Sequence, residues 1–214
     1  MASAGPSGTE GYVEDLDDLV RKFESISFAG LHGPILHLIP EAPSRILDIG
    51  SGSGRDAAAF AEMGHSVVAV EPSAGLRLRA AELHHSPEIE WVDDSLPSLA
   101  TLARRQGSFD VVMLTAVWMH LDAGQRREAM PRIATLIRNG GLAIFTLRHG
   151  PVPPGKRMFD VTADETELLA KAAGLSLKLK LEDQPGYSGR PGVTWTAMAF
   201  TKNAPLKNEP GPRR

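Results

Sequence analysis

Cysteine is missing altogether from the 214 residues of this chain. Without thiolates, the chain forms no disulfide, builds no cysteine-ligated zinc site and holds no cysteine-bound iron–sulfur cluster. The last exclusion removes radical enzymes that depend on such a cluster. Any chemistry that the chain performs is therefore expected to be polar.

Long apolar runs and an excess of positive charge are absent too. No apolar run approaches the roughly 20 residues of a membrane-spanning helix, and the first residues, MASAGPSGTEG, lack the basic-then-apolar order of a signal peptide. We therefore expect a cytoplasmic protein without a membrane partner. The 23 Lys and Arg residues face 26 Asp and Glu residues, a formal net charge of −3. Because nucleic-acid-binding domains usually carry clustered positive charge, no nucleic-acid partner is expected.

The composition predicts one domain between two disordered ends. Residues 1–9 and 203–214 are small, polar and rich in Gly and Pro, which is typical of disorder. Residues 10–202 have the size and apolar content of a single domain. Within it, residues 10–40 show apolar residues at helical spacing followed by a Gly/Pro break, which predicts a helical cap or lid.

Short β-branched runs alternate with helical segments through the middle of the chain. RILDI, VVAVE, IEWV, FDVVML and GLAIFTL are separated by segments such as RDAAAFAEM and AGLRLRAAELHH. This alternation is typical of an α/β protein with a doubly wound, mostly parallel sheet. Residues 175–181 and 193–201 then predict two final strands around a Gly/Pro-rich loop at 184–192, which form an antiparallel hairpin and bring the sheet to seven strands.

The segment ILDIGSGSGRD is the most informative part of the sequence, because an apolar strand runs through a glycine-rich turn into an Ala-rich helix. Gly50, Gly52 and Gly54 allow the backbone to approach a ligand, and the helix N-terminus offers amide donors. About 20 residues later, Glu71 ends a second strand, where a carboxylate can accept hydrogen bonds from both hydroxyls of a ribose. Together these features predict a nucleoside-binding crevice at the switch point of the sheet.

Two residues distinguish this turn from a dinucleotide site. The third position of the G-x-G-x-x-G fingerprint is Arg55, which crowds the packing over a pyrophosphate, and Asp48 places a negative charge nearby. A carboxylate at Asp48 can instead hold the ammonium of a methionine moiety, and Arg55 can meet its carboxylate. An NAD(P)-dependent oxidoreductase is the alternative, but the chain shows no recognisable Tyr-x-x-x-Lys pair.

Five segments, ILDIGSGSGRD, VVAVEPS, the pair Asp93-Asp94, FDVVMLTAVWMHL and LIRNGGLAIFTL, resemble the ordered motifs of the class I S-adenosylmethionine-dependent methyltransferases over residues 45–147. The resemblance implies a Rossmann-like methyltransferase fold, S-adenosylmethionine as cofactor and EC 2.1.1.- activity. In that family the glycine turn contacts the methionine moiety, the acid after strand two holds the ribose, and the acid after strand three contacts the adenine. The cofactor-binding residues that the resemblance implies are Asp48, Gly50, Ser51, Gly52, Gly54, Arg55, Asp56, Glu71, Pro72, Asp94, Ser95, Leu96, Thr115, Ala116, Val117 and His120.

The adenine contact has two alternatives. Asp93 is the candidate if the motif is displaced by one residue. Asp94 has a purely structural interpretation as the cap of a helix that begins near Leu96.

Candidate catalytic residues follow strands four and five. His120 and His149 carry imidazoles, which titrate near neutrality and suit general acid–base catalysis. Arg148 precedes His149 at the end of strand five, so both could reach over the crevice. The alternatives are local capping for His120 and an ordinary surface loop for Arg148 and His149.

The predicted acceptor contacts come from the cap and from the loops at the crevice. Packing is the alternative for the aromatic candidates, and solvation is the alternative for the charged ones. A cluster of Arg148, Lys156 and Arg157 indicates that the acceptor could be anionic. The candidate substrate and lid residues are Tyr12, Phe28, His32, Trp118, Arg148 and Arg157.

A metal site is not expected. His84 and His85 are adjacent on a predicted helix and point in different directions, whereas His37 and His65 have no partner at ligand spacing. The chain also lacks an Asn/Asp-Pro-Pro-aromatic signature, which relatives that methylate nucleobases or glutamine amides carry.

The sequence therefore predicts methyl transfer to a small-molecule acceptor by a monomer or homodimer. The alternatives are aminocarboxypropyl transfer or cyclisation with the same cofactor, and a non-catalytic module that only binds it.

Overall fold

A seven-stranded sheet forms the centre of the protein. The computed structural model describes residues 16–186 and 191–204. The strands are β1 (Arg45–Ile49), β2 (Ser66–Val70), β3 (Ile89–Val92), β4 (Phe109–Leu114), β5 (Ile137–His149), β6 (Leu175–Pro185) and β7 (Thr194–Lys202). The helices are α1 (Leu16–Glu24), α2 (Phe28–His32), α3 (Arg55–Glu62), α4 (Ala74–Leu83), α5 (Ala123–Leu136) and α6 (Ala163–Ala172). Short 3₁₀ helices cover Gly33–Leu38, Ala100–Leu102 and Trp118–His120.

The strand order β3-β2-β1-β4-β5-β7-β6 confirms the predicted doubly wound sheet. Strands β1 to β5 pair in parallel, and β7 lies antiparallel between β5 and β6. The chain proceeds outward from β1 to β3 and then returns to the other side of β1 as β4. Ligands of open α/β sheets bind at the carboxyl ends of the strands where the order reverses in this way.

The hairpin at the sheet edge is longer than predicted. The sequence pattern ended the sixth strand at Leu181 and placed Gln184 in a loop, but in the structure Gln184 pairs with Trp195. The register shifts between Leu181 and Gln184, where Asp183 has a left-handed φ of 54°. Such a bulge adds an unpaired residue and lets the strand continue, which alternation alone does not reveal.

The two faces of the sheet carry separate apolar cores. One core packs α5 and α6 against the sheet and contains Trp118, Phe145 and Phe200. The rings of Trp118 and Phe145 meet edge to face at 5.1 Å, and both are fully buried. Truncation of such an aromatic side chain to Ala typically costs about 3–5 kcal/mol. Trp118, a candidate acceptor contact, is therefore a core residue.

The second core lies under the N-terminal helices. Ser27 accepts a hydrogen bond from the amide of Gly30 and so caps the start of α2. From α2, Phe28 packs edge to face on Phe60 at 5.0 Å. Phe28 is buried in this core, so the structure places it in the packing of the cap and not on a lid surface.

Several predictions concern residues outside the described parts of the chain. They are the disorder of residues 1–9, most of the predicted disordered tail at 203–214, and the lid candidate Tyr12. Within the described residues, no helix combines the length and the apolar composition needed to cross a membrane.

Candidate active site

A cavity of about 340 Å³ opens at the switch point, above the carboxyl ends of the parallel strands. Its volume falls in the range of small-molecule sites, about 300–1,000 Å³. One half, the cofactor half, lies over β1, β2 and β3. The other, the acceptor half, lies over β4, β5, β7 and the end of β6, and residues of the N-terminal cap also line the cavity.

The glycine turn links the two halves. Gly50 has a φ of 74°, and a Cβ at this position would lie only 2.5 Å from Val117 Cγ2 in the acceptor half. The amides of Gly50 and Ser51 both donate to the carbonyl of Val70, at 2.8 and 3.0 Å. The turn therefore needs glycine at Gly50 for its backbone conformation and for its contact with the loop after β4.

Gly54 is the one predicted cofactor residue that does not line this cavity. It precedes α3 with a φ of 85°, and a Cβ there would lie 2.5 Å from the ring of Trp91. Its role in the structure is close packing between the turn and β3. The other predicted cofactor residues line the cavity: Asp48, Gly50, Ser51, Gly52, Arg55, Asp56, Glu71, Pro72, Asp94, Ser95, Leu96, Thr115, Ala116, Val117 and His120.

Glu71 is held by two backbone amides at the end of β2. Gly52 N donates to Oε2 at 2.9 Å and Ser73 N donates to Oε1 at 2.8 Å. Burial raises the pKa of Glu71, although these two amide bonds oppose the shift. The carboxylate is thus oriented before any ligand arrives, and each oxygen has a further lone pair for a hydroxyl donor.

Asp48 brings an unsatisfied carboxylate oxygen to the cofactor half. The residue is 1% exposed, and its Oδ2 has no hydrogen-bond partner among the described residues. Burial, followed by the charge of Asp56, raises the pKa of Asp48 well above its usual range. The hydroxyl of Ser51 is also buried and has no hydrogen-bond partner in the described part of the chain. Because buried polar atoms are normally paired, these groups fit a ligand that brings donors such as an ammonium.

A buried charged cluster joins the N-terminal cap to α3. His32 Nε2 lies 2.8 Å from Asp56 Oδ2, and Arg55 Nε donates to Asp56 Oδ1 at 2.8 Å. Arg55 also donates through Nη1 to the carbonyl of Phe23 at 3.0 Å. Burial alone would raise the pKa of Asp56, but the hydrogen bond and charge of His32, together with Arg55, hold it low. Arg55 thus already binds Asp56 and Phe23 of this chain. His32 lines the cavity and joins the N-terminal cap to α3 through Asp56.

The loop after β3 distinguishes the two candidate adenine contacts. Asp94 lines the cavity and accepts hydrogen bonds from the amides of Ser95 and Thr101, at 2.8 and 2.9 Å. Asp93 does not line this cavity; its exposed carboxylate pairs with Arg77 at 2.8 Å. No helix begins near Leu96, because the loop forms a three-residue 3₁₀ helix at Ala100–Leu102 instead. The bonds to Ser95 and Thr101 nevertheless give Asp94 a structural role within this loop.

The loop after β4 forms the wall between the halves. Ala116 has a φ of 58°, which is uncommon for a residue with a side chain, and its amide donates to Thr146 Oγ1 at 2.8 Å. His120 lines the cavity, and its Nδ1 lies 2.8 Å from the carbonyl of Arg157. A carbonyl only accepts, so Nδ1 carries a hydrogen in this contact.

The structure does not bring Arg148 and His149 to this cavity. Strand β5 continues three residues past Thr146, which does line it, so both side chains lie farther along the strand. They border a second depression of about 350 Å³. There, Arg148 donates to the carbonyl of Pro151 at 2.8 Å, and His149 Nε2 lies 2.8 Å from Thr196 Oγ1. How far a strand projects beyond its neighbours is not visible in the sequence pattern.

Arg157 lies outside the cavity as well. Its guanidinium stacks over the ring of Phe159 at 4.9 Å and lies 3.6 Å from Asp122 Oδ2. Its backbone carbonyl, and not its charge, reaches the site through His120. Lys156 does not line the cavity either.

Most residues of the acceptor half are not predicted from the sequence. A signal was available, because an antiparallel strand begins at the edge where the parallel strands end, which places the first residues of β7 there. No comparable pattern marks the contributions of the cap. The missed lining residues include Leu31, Pro34, Ile35, Leu121, Thr146, Gln184, Trp195, Thr196 and Ala197.

Across residues 16–186 and 191–204, no group of three or more His, Asp or Glu side chains is arranged so that it could hold a metal ion.

Comparison with known sequences points to one kind of protein. A family described as a methyltransferase domain matches residues 46–141. The ubiquinone biosynthesis O-methyltransferase of Albidiferax ferrireducens is 34% identical over 122 residues, which cover 55% of this chain and 46% of that protein. The glycine N-methyltransferase of Homo sapiens is 29% identical over 191 residues, covering 73% and 63%. The chain thus spans less than two thirds of the length of either relative.

A solved structure shares the fold. The 1,6-didemethyltoxoflavin-N1-methyltransferase of Burkholderia thailandensis, solved with 1,6-didemethyltoxoflavin and S-adenosylhomocysteine, matches with a TM-score of 0.64 and 23% identity. The match covers 87% of this chain and 79% of that one. At this identity the likeness concerns the fold alone.

Proposed function

We propose that this chain is a class I S-adenosylmethionine-dependent methyltransferase and that it transfers a methyl group from that cofactor to a small-molecule acceptor. The observation that carries the proposal is the continuity of the cavity. It joins the oriented Glu71 and the unsatisfied Asp48 to the acceptor half in one space. A donor bound over β1 and β2 would therefore face an acceptor bound over β4, β5 and β7.

The residues of the cofactor half suit the parts of S-adenosylmethionine. Asp48 and Ser51 offer acceptors for its ammonium, Glu71 offers acceptors for the ribose hydroxyls, and the Asp94 loop borders the position for adenine. When bound, the cofactor supplies a methyl group already activated on a sulfonium. The task left to the chain is to hold both molecules in line and to exclude water.

His120 is our candidate for a catalytic residue. Its Nδ1 is bonded to the Arg157 carbonyl, so Nε2 is the atom that would take a proton from a hydroxyl or a carbon acid in the proposed reaction. An amine or thiolate acceptor would need no such base. We do not extend a catalytic role to Arg148 or His149, because they border the second depression.

The lining of the acceptor half supports a small acceptor. Apolar side chains from the cap, Leu31 and Ile35, face the same cavity as Trp195, and Thr146 adds a hydroxyl. The relatives named above include enzymes whose acceptors are small molecules. We leave out an anionic acceptor, because the basic cluster that indicated it lies outside this cavity.

Calorimetric titration with S-adenosylmethionine, S-adenosylhomocysteine and NADH tests the cofactor assignment. We expect both adenosyl ligands to bind and NADH not to bind. Glu71→Ala should weaken S-adenosylhomocysteine binding about tenfold or more, or ~1.4 kcal/mol. Glu82→Ala, on the exposed face of α4, is the matched control and should leave the affinity unchanged. Binding of NADH alone would overturn the assignment.

Product analysis separates the proposed reaction from its alternatives. Incubation with acceptor candidates should release S-adenosylhomocysteine, whereas aminocarboxypropyl transfer would release methylthioadenosine. A protein that binds the cofactor but turns over none of a broad panel of phenols, amines and carbon acids would favour the non-catalytic module.

A further inference from the structure

Helix α5 carries two arginines that bind backbone carbonyls of two different cavity loops. Near its start, Arg126 donates through Nη1 to the carbonyl of Leu121 at 2.6 Å. Near its end, Arg132 donates to the carbonyls of Ser98 and Leu99, at 2.9 and 2.8 Å. Leu121 borders the acceptor half, whereas Ser98 and Leu99 belong to the loop that follows Asp94 in the cofactor half.

Arg126 is the more deeply placed of the two. It is 3% exposed, and its guanidinium also donates to the carbonyl of Asp160 at 3.3 Å and to both carboxylate oxygens of Glu165. A buried guanidinium is stable only when its donors are paired, so this network ties three segments to α5. They are the loop after β4, the loop between β5 and α6, and α6 itself.

The loop after β4 and the loop between β5 and α6 are also bonded to each other around His120. The amide of Phe159 donates to the carbonyl of Met119 at 2.8 Å, and His120 Nδ1 donates to the carbonyl of Arg157 at 2.8 Å. Arg126 bonds to Leu121 and Asp160, which immediately follow these pairs in their loops. The Arg126 guanidinium therefore holds the loop after β4 against the loop between β5 and α6. The bond between His120 and Arg157 connects the same two loops and sets the orientation of the His120 ring.

Arg132 binds the backbone where Leu99 adopts an uncommon conformation. Leu99, whose carbonyl it binds, has a left-handed φ of 45°, an uncommon conformation for a residue with a branched side chain. Such a conformation persists only where its surroundings hold it. The bonded loop is continuous with Asp94, Ser95 and Leu96, which line the cofactor half.

We propose that Arg126 is a positioning residue for the acceptor half, where it fixes His120 and Leu121, and that Arg132 does the same for the cofactor half. The assignment of the halves rests on the proposed function. Lys cannot replace either residue fully, because one ammonium cannot reproduce the planar fork that binds several acceptors at once.

Two measurements on Arg126→Lys and Arg132→Lys test this division of roles. The first is the long-range ¹H–¹⁵N spectrum of the imidazole rings, in which His120→Gln identifies the His120 signals. The second is calorimetric titration with S-adenosylhomocysteine. We expect Arg126→Lys to remove the fixed Nδ1–H pattern of His120 while the dissociation constant changes less than about twofold.

The reverse pattern is expected for Arg132→Lys. It should weaken S-adenosylhomocysteine about fivefold or more and leave the His120 signals in place. The proposal is overturned if Arg126→Lys preserves the His120 pattern, or if both variants weaken the ligand equally. If Arg126→Lys does not fold, Glu165→Gln is the second variant. This substitution removes the negative charge that pairs with Arg126 but keeps one oxygen acceptor. It should therefore weaken the Nδ1–H signal of His120 less than Arg126→Lys does.

The two readouts also separate this inference from the proposed function. If the unaltered protein does not bind S-adenosylhomocysteine, the proposed function fails. The His120 spectrum would still decide whether Arg126 positions that ring.

Discussion

The two halves of the cavity are built in different ways. The motifs of the cofactor half lie in one continuous segment of chain, from Asp48 to Leu96. The acceptor half combines residues as distant as Leu31 and Ala197. A half built from consecutive strand ends leaves local patterns in the sequence, whereas a half assembled from distant segments does not.

The largest expected effect comes from the junction of the halves. Gly50→Ala would place a Cβ 2.5 Å from Val117 and force Ala into a φ of 74°. We expect a loss of about 3 kcal/mol or more in the free energy of unfolding, because strain and overpacking add. Denaturant unfolding should show the lower free energy of unfolding, and titration with S-adenosylhomocysteine should show weaker binding.

Gly64→Ala is the control for this prediction. Gly64 has a φ of 88°, but nothing lies within 4 Å of its added Cβ, so only the backbone strain applies. A loss of about 1 kcal/mol with unchanged ligand binding is expected. Equal losses for both variants would contradict a special contact between the halves.

A second prediction separates turnover from binding. If the acceptor is a hydroxyl or a carbon acid, His120→Gln should lower kcat about 100-fold, because proton removal is lost. Binding of S-adenosylhomocysteine should change little, since His120 belongs to the acceptor half. Single-turnover assays of methyl transfer, with calorimetry beside them, provide the two readouts. A loss of ligand binding as large as the loss of turnover would mean that the halves are not separate.

The third prediction concerns the pH dependence of the cofactor half. The pKa of Asp48 is raised, so at acidic pH the carboxyl must lose a proton before it can pair with an ammonium. Affinity for S-adenosylhomocysteine should therefore rise with pH, at most about tenfold per pH unit, until the raised pKa is passed. Titrations at several pH values should show this slope, and Asp48→Asn should flatten it.

The same group makes an opposite contribution to stability. Without a ligand, ionisation of Asp48 is less favourable in the folded than in the unfolded state. Its contribution to the free energy of unfolding should therefore fall as pH rises from the unfolded value of about 3.9 toward the raised pKa. Denaturant unfolding of the ligand-free protein and of Asp48→Asn across this range measures the difference. A stability that rises with pH only in the unaltered protein would contradict the sign.

The smallest effect is expected outside both halves. Arg148→Ala should change the free energy of unfolding by no more than about 0.5 kcal/mol and leave ligand binding and turnover intact. The side chain lies outside the cavity and donates to the carbonyls of Gly150 and Pro151, in the loop that follows β5. A clear loss of acceptor turnover would mean that the second depression takes part in acceptor binding or catalysis.

Much of the fold was predictable because the strand and helix periods are local properties. The glycine turn and Glu71 are predicted from their positions at strand ends, and Asp94 is implied by the family resemblance. The structure places all three along one cavity at one edge of the sheet. Two of the errors occurred where a strand continues past its expected end. The bulge at Asp183 extends β6, and the length of β5 carries Arg148 and His149 beyond the cavity.

The order of strands and helices along the chain, the glycine turn and the acidic residues of the cofactor half can be read from the amino-acid sequence alone. These depend on backbone conformation and on residues close together in the chain. The burial of Trp118, the pairing of Asp56 with His32 and the bonds of Arg126 to two loops are visible only in the folded protein. Those outcomes depend on which distant segments exclude water together, and burial and charge pairing are properties of that assembly.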